Sequence, residues 1–305
     1  MRTIENLLRA PATLVFLVVA LASTATALAF VVGRLVRHRP VLPNVGTPRV
    51  PWGMGLTFLA IFLWMLLQRV VVVGFVWLRK APANPDGTPA TLSPLEMVLL
   101  TLAGNALVLI VVPWVLAQTS GARPRDFGLV TDQVGANLLR GYLGCWLTLP
   151  AVYACYWLTL QVFQKNTHAM EGLLRADLPW TTTALGTFSA VVSAPLVEEL
   201  LFRGIFMAGQ ARLFEGSSGE CETTASRGTW WDWRPCVFSA LFWAAIHVEN
   251  WPAPVPLLVL GLALGWLYER TGSLVAPVAL HATFNGISTV WVLLGSVTGP
   301  GDVTP

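Results

Sequence analysis

Glu198 and Glu199 stand side by side within a run of apolar residues, and Arg203 follows Glu199 by four positions. His247 lies in a second apolar run, and His281 and Asn285, again four apart, lie in a third. An acid and a cation at i and i+4 share a helix face and can pair, whereas Glu198 turns toward the adjoining face. The spacing of His281 and Asn285 puts both on one face as well. These residue types suit hydrolysis of an amide. A carboxylate and an imidazole can together take a proton from water. A second imidazole and a carboxamide can donate hydrogen bonds to the developing oxyanion. An arginine can hold the neighbouring glutamate ionised and oriented.

Each piece alone has a plainer reading. Glu199 and Arg203 can form a structural ion pair, with the arginine reaching toward an interface. His247 can mark the interfacial end of a short helix, and His281 with Asn285 can serve as polar glue between helices. Glu249, Glu269 and Arg270 lie at span edges and read as structural. Depth argues for one site. Glu198 is nine residues before Met207, His281 eight after Ser273 and His247 eleven after Cys236. At about 1.5 Å per residue these positions fall roughly 12–17 Å from one end of their helices.

The elements that must position these groups are membrane spans. The 305-residue chain is 55% hydrophobic and only 11% charged, with a mean hydropathy of +0.64. Soluble domains carry about 25% charged residues, so lipid is the expected solvent. Eight apolar segments, near 11–33, 52–78, 93–117, 136–163, 181–207, 236–249, 254–268 and 273–296, predict an all-α polytopic protein of about eight transmembrane helices around an intramembrane catalytic cavity. Helices are the default because lipid offers the backbone no hydrogen-bond partner. Ionisable residues inside spans are costly and functional by default, and the exceptions to loop placement gather in the C-terminal third.

The first segment resembles a secretory leader at Thr24–Ala29, but its apolar run continues to Val32 and ends at Arg34, Arg37 and Arg39, which favours a retained anchor. The excess of Arg in odd-numbered loops places those loops in the cytoplasm and both termini outside. The stretch 208–235 reads as a flexible Gly216–Gly219 loop with Trp230, Trp231 and Trp233 as an interfacial belt, and its position suggests a substrate gate. Four cysteines show no metal or disulfide spacing, and the net charge of +3 is scattered with no basic run fit for nucleic acid.

Residues 194–204, with Glu198-Glu199 and Arg203, resemble the E-E-x-x-x-R motif of CAAX prenyl endopeptidases and their bacterial relatives, the CPBP or Abi family. Ser239–His247 is similar to the second motif, F-x-x-x-H, with Trp243 standing where phenylalanine is usual. His281–Asn285 is similar to the third, H-x-x-x-N, and the approach from Tyr268 through Pro277 also looks like family sequence. The resemblance covers about residues 181–292, so the chain divides into N-terminal spans at 1–180 and a catalytic core at 181–297. It implies an eight-span fold with a cytoplasm-facing cavity, in the plasma membrane. It also implies Glu198 as principal catalytic glutamate acting with His247 on water, Glu199 and Arg203 as its support, and His281 and Asn285 at the oxyanion.

The leading expectation is thus a glutamate-dependent intramembrane endopeptidase that needs no cofactor and acts on a protein or peptide substrate, lipidated or otherwise bound to the bilayer. A zinc protease is the first alternative, since His247, His281 and Glu198 are the ligand types of a catalytic zinc site, although no H-E-x-x-H is present. A non-catalytic membrane immunity or scaffold protein is the second. A transporter is the weakest, resting on the prolines at 252, 254 and 256.

Overall fold

The structure, a computed structural model, describes residues 11–79, 91–163, 178–215 and 233–298. Among them helices form at all eight apolar segments, and no strand is present. We label them α1 (Pro11–Val36), α2 (Met54–Arg79), α3 (Pro94–Ser120), α4 (Val134–Val162), α5, α6 (Arg234–Ala245), α7 (Pro254–Thr271) and α8 (Val275–Thr298). Helix α5 runs without a break from Trp180 to Glu215, in five stretches that alternate α and π geometry.

Helices α1 to α5 are long and apolar enough to cross a membrane. Helix α6 is not: its 12 residues rise about 18 Å, against a hydrocarbon core of about 30 Å. The chain is a polytopic all-α membrane protein in which the sixth segment does not span by itself. The expected segment boundaries shift in two places. Helix α5 continues to Glu215 instead of stopping near 207, and α6 stops at Ala245, two residues before His247. A 3₁₀ turn at Val248–Asn250 and a cis Trp251–Pro252 bond then lead into α7.

Local chemistry sets several helix ends. Ser93 and Glu96 form a capping box at the start of α3: the Ser93 hydroxyl accepts from the Glu96 amide, and the Glu96 carboxylate accepts from the Ser93 amide. Pro94 follows at the first helical position, where its missing N–H costs nothing. Gly272 closes α7 in a left-handed conformation, φ 60°.

Helix α5 is the centre of the bundle. Within its apolar stretch 56% of residues are buried, against 6% for α1 and 11% for α2, whose apolar side chains point outward from the bundle. Helix α8 packs along α4, and α6 and α7 form a tight pair. Close approach of α4 and α8 depends on Gly141, where a Cβ would lie 2.3 Å from the Ala276 carbonyl oxygen. The 3₁₀ turn Pro124–Phe127 ends at Gly128, whose carbonyl accepts from the Leu274 amide at 2.9 Å, joining the α3–α4 connection to the α7–α8 turn. On the same side, Trp52 donates its indole N–H to the Ile205 carbonyl and stacks on Phe127 with centroids 4.9 Å apart. The segment before α2 is thereby tied to the half of α5 that follows the glutamates.

The centre of the proposed gate (216–232), with Trp230 and Trp231, lies outside the described residues, as do His168 and Cys221.

Candidate active site

Glu199 and Arg203 are both fully buried, with 0% exposure. Arg203 Nη1 donates to Glu199 Oε1 at 3.1 Å, and its other terminal nitrogen donates to the Gly261 carbonyl of α7 at 3.2 Å. The guanidinium lies over the Trp243 ring, 4.9 Å from its centroid, a cation–π contact from α6. His281 of α8 completes the cluster, its Nδ1 lying 2.8 Å from the same Glu199 oxygen. One carboxylate oxygen therefore joins α5 to α8, while its arginine joins α5 to α6 and α7. Buried charges survive in a low-dielectric interior only when paired in this way. The other Glu199 oxygen, Oε2, has no hydrogen-bond partner among the described residues.

Glu198 is treated differently. It is only partly buried, and Oε2 accepts a hydrogen bond of 2.6 Å from the Trp243 indole N–H. The same tryptophan meets His247 and His281 edge-on, at centroid distances of 5.1 and 5.4 Å. Trp243 is thus the hub on which both histidines, Glu198 and Arg203 converge. Its place in the motif predicts an aromatic space filler; its use as a hydrogen-bond donor is visible only in three dimensions.

His247 does not sit inside a helix as expected. It occupies the turn after α6, where its Nδ1 is 2.8 Å from the Trp243 carbonyl. A carbonyl can only accept, so Nδ1 carries the proton and Nε2 of the neutral ring is left with its lone pair. The same logic applies to His281: a carboxylate accepts from Nδ1–H, and Nε2 can donate only when the ring is doubly protonated.

Asn285 does not meet His281 in a shared contact. Its amide donates to the Ala190 carbonyl at 2.8 Å. Ala190 belongs to the first π stretch of α5, Ser189–Ser193; the second, Leu200–Met207, begins directly after Glu199. Such stretches are rare and concentrate at functional sites. The glutamates lie on the six-residue α stretch between them, Ala194–Glu199.

Reading of charge alone passed over a second polar connection. Gln68 of α2 donates to Asn105 of α3 at 2.8 Å, and Asn105 donates to the Ser193 hydroxyl of α5 at 2.9 Å. Gly104 makes room for it, since a Cβ there would lie 2.1 Å from the Gln68 carboxamide oxygen. The chain thus brings residues from the N-terminal spans to within five positions of Glu198. The available signal was two carboxamides inside apolar runs, which are costly in lipid unless partnered. Arg69, next to Gln68 in the same span, is an in-span charge outside the C-terminal third.

Residues 179–287 match the family model described as type II CAAX prenyl endopeptidase Rce1-like. No curated protein and no solved structure matches the chain significantly.

Proposed function

From the Rce1-like CAAX prenyl endopeptidase family of residues 179–287, we propose that this chain is an intramembrane endopeptidase in which Glu198 and His247 activate the attacking water. The observation that carries the assignment is the contrast between two adjacent carboxylates. Glu199 is sealed and committed to Arg203 and His281, whereas Glu198 is partly open and held by one N–H. Only the second is free to meet a substrate.

In this reading Trp243 fixes Glu198 Oε2 and leaves Oε1 for water. His247, with its tautomer set by the Trp243 carbonyl, offers Nε2 as a base beside the same indole. Water loses a proton to this pair as its oxygen bonds to the scissile carbonyl carbon. Negative charge collects on the carbonyl oxygen, which lies on the His281 side of the site, where hydrogen-bond donors stabilise it. The C–N bond then breaks, and the leaving amine recovers the proton from the acid–base pair. Asn285 reaches the same oxyanion after releasing the Ala190 carbonyl.

The zinc alternative fits less well. Its ligands would be Glu198, His247 and His281, yet among the described residues no three His, Cys, Asp or Glu side chains converge to hold an ion. The substrate class is a membrane-associated or lipidated protein, processed from the cytoplasmic face of the plasma membrane.

The test compares terminal peptides of membranes from cells making wild type or Glu198→Gln at equal levels. New termini confined to the wild type establish proteolysis and identify substrates. Identical termini with a folded variant would refute the assignment of Glu198.

A further inference from the structure

Arg69 lies in the interior of α2, ten residues before its end at Arg79. Its side chain is exposed, and it makes no ion pair or hydrogen bond among the described residues. The basic residue at the end of the same helix is satisfied: Arg79 pairs with Glu96 at 3.4 Å. Glu96 in turn is held by Ser93 in the capping box, so among the described residues this acid at the start of α3 is already taken.

Depth makes this guanidinium significant. Helix α2 has 26 residues, about 39 Å, and overhangs a hydrocarbon core of about 30 Å by only about 5 Å at each end. Arg69 is about 15 Å from the helix end, hence about 10 Å inside the hydrocarbon. An arginine side chain extends toward the interface but does not reach bulk water from there. It needs an anion brought to it.

The surroundings supply a place for one. Arg69 and Gln68 line a cleft of about 270 Å³ between α2 and the start of α3. Its other walls are Val72, Leu92, Met97, Leu100 and Thr101. Gln68 is fixed in this wall by its bond to Asn105. One cationic group beside a mainly aliphatic trough matches an amphiphile with one anionic head and a hydrocarbon tail. We propose that this cleft binds an anionic phospholipid, the phosphate on Arg69 and an acyl chain along Val72, Leu92, Met97 and Leu100. The site is separate from Glu198 and does not depend on the proteolytic reading. Its wall is nonetheless joined to the glutamate-bearing helix through Gln68, Asn105 and Ser193.

Native mass spectrometry of the full chain, released from a charge-neutral detergent, provides the test. The probes are phosphatidylglycerol, phosphatidylcholine with identical acyl chains, and glycerol 3-phosphate. Phosphatidylglycerol is expected to bind wild type and to bind Arg69→Gln about tenfold more weakly, the size of one charge-assisted hydrogen bond. Met97→Trp, which fills the trough from an exposed position, should weaken it independently and guard against misfolding of a single variant. Arg37→Gln, at an exposed basic position outside the cleft, should change nothing. Unaltered binding to Arg69→Gln would overturn the proposal. So would an equal loss in Arg37→Gln, equal affinity for phosphatidylcholine, or displacement of the lipid by glycerol 3-phosphate.

Discussion

Replacing Arg203 by methionine keeps most of the side-chain volume and removes the charge. In the structure this deletes the bond to Glu199 Oε1, the bond to the Gly261 carbonyl and the contact with the Trp243 ring. It leaves Glu199, with 0% exposure, as a buried carboxylate with only His281 to balance it. Breaking a buried pair from one side costs about 3–5 kcal/mol. For a chain of this size each kcal/mol moves the melting temperature by about 2 °C, so Arg203→Met should melt roughly 6–10 °C below wild type. Adding Glu199→Gln removes the orphaned charge and should recover about half of that loss, a coupling readable as a double-mutant cycle. Cys145 and Cys236 are free and buried, so a thiol-reactive fluorogenic dye reports their exposure on heating. Cys155 supplies a baseline, and Cys221 is first changed to serine so that the signal comes from sites of known burial. A melting temperature for Arg203→Met equal to wild type, or a double variant less stable than the single, would show that the cluster does not hold α5 to α6, α7 and α8.

Three further outcomes follow from individual contacts. Trp243→Phe removes the indole donor to Glu198, a charge-assisted bond of about 1.5–3 kcal/mol, and should slow appearance of wild-type-specific termini by about 10–100-fold; an undiminished rate would remove Trp243 from the site. Gly141→Ala drives a methyl group into the Ala276 carbonyl and should destabilise by about 1–3 kcal/mol. Gly33→Ala meets nothing within 4 Å and should be neutral or slightly stabilising; dye-monitored melting distinguishes the two. Asn105→Leu strands Gln68 and Ser193 and should cost about 0.6–1.7 kcal/mol, read in the same assay as a small drop that Gly104→Ala reproduces.

The positions of the helices were legible because lipid imposes a simple rule, about 20 apolar residues per crossing. The pairing of Glu199 with Arg203 was equally legible, since i and i+4 neighbours meet in almost any helix. What could not be read was anything that depends on where a helix gives way. The end of α6 at Ala245 moves His247 into a turn, and no residue nearby forces that stop before Pro252. The π stretches of α5 leave no mark in composition. Asn285 was legible as an in-span amide, but its partner, the Ala190 carbonyl, is a backbone atom. Trp243 was read by volume when its nitrogen was the informative atom. Counting charges likewise hid Gln68 and Asn105, whose neutral side chains carry the link from α2 to α5.

The block Ala194–Glu199 has π turns on both sides. In an unbroken α-helix the azimuth of every residue follows from that of its neighbours. Here that phase relation is offset twice by the wider π turns, so the glutamates face a direction that an unbroken α-helix of the same sequence would not give them. Lateral anchors hold that setting: Asn105 on Ser193, Asn285 on Ala190, Trp243 on Glu198, and His281 on Glu199. Mechanically the block is a short collar keyed to its neighbours from three sides, and a shift of the collar carries both carboxylates together.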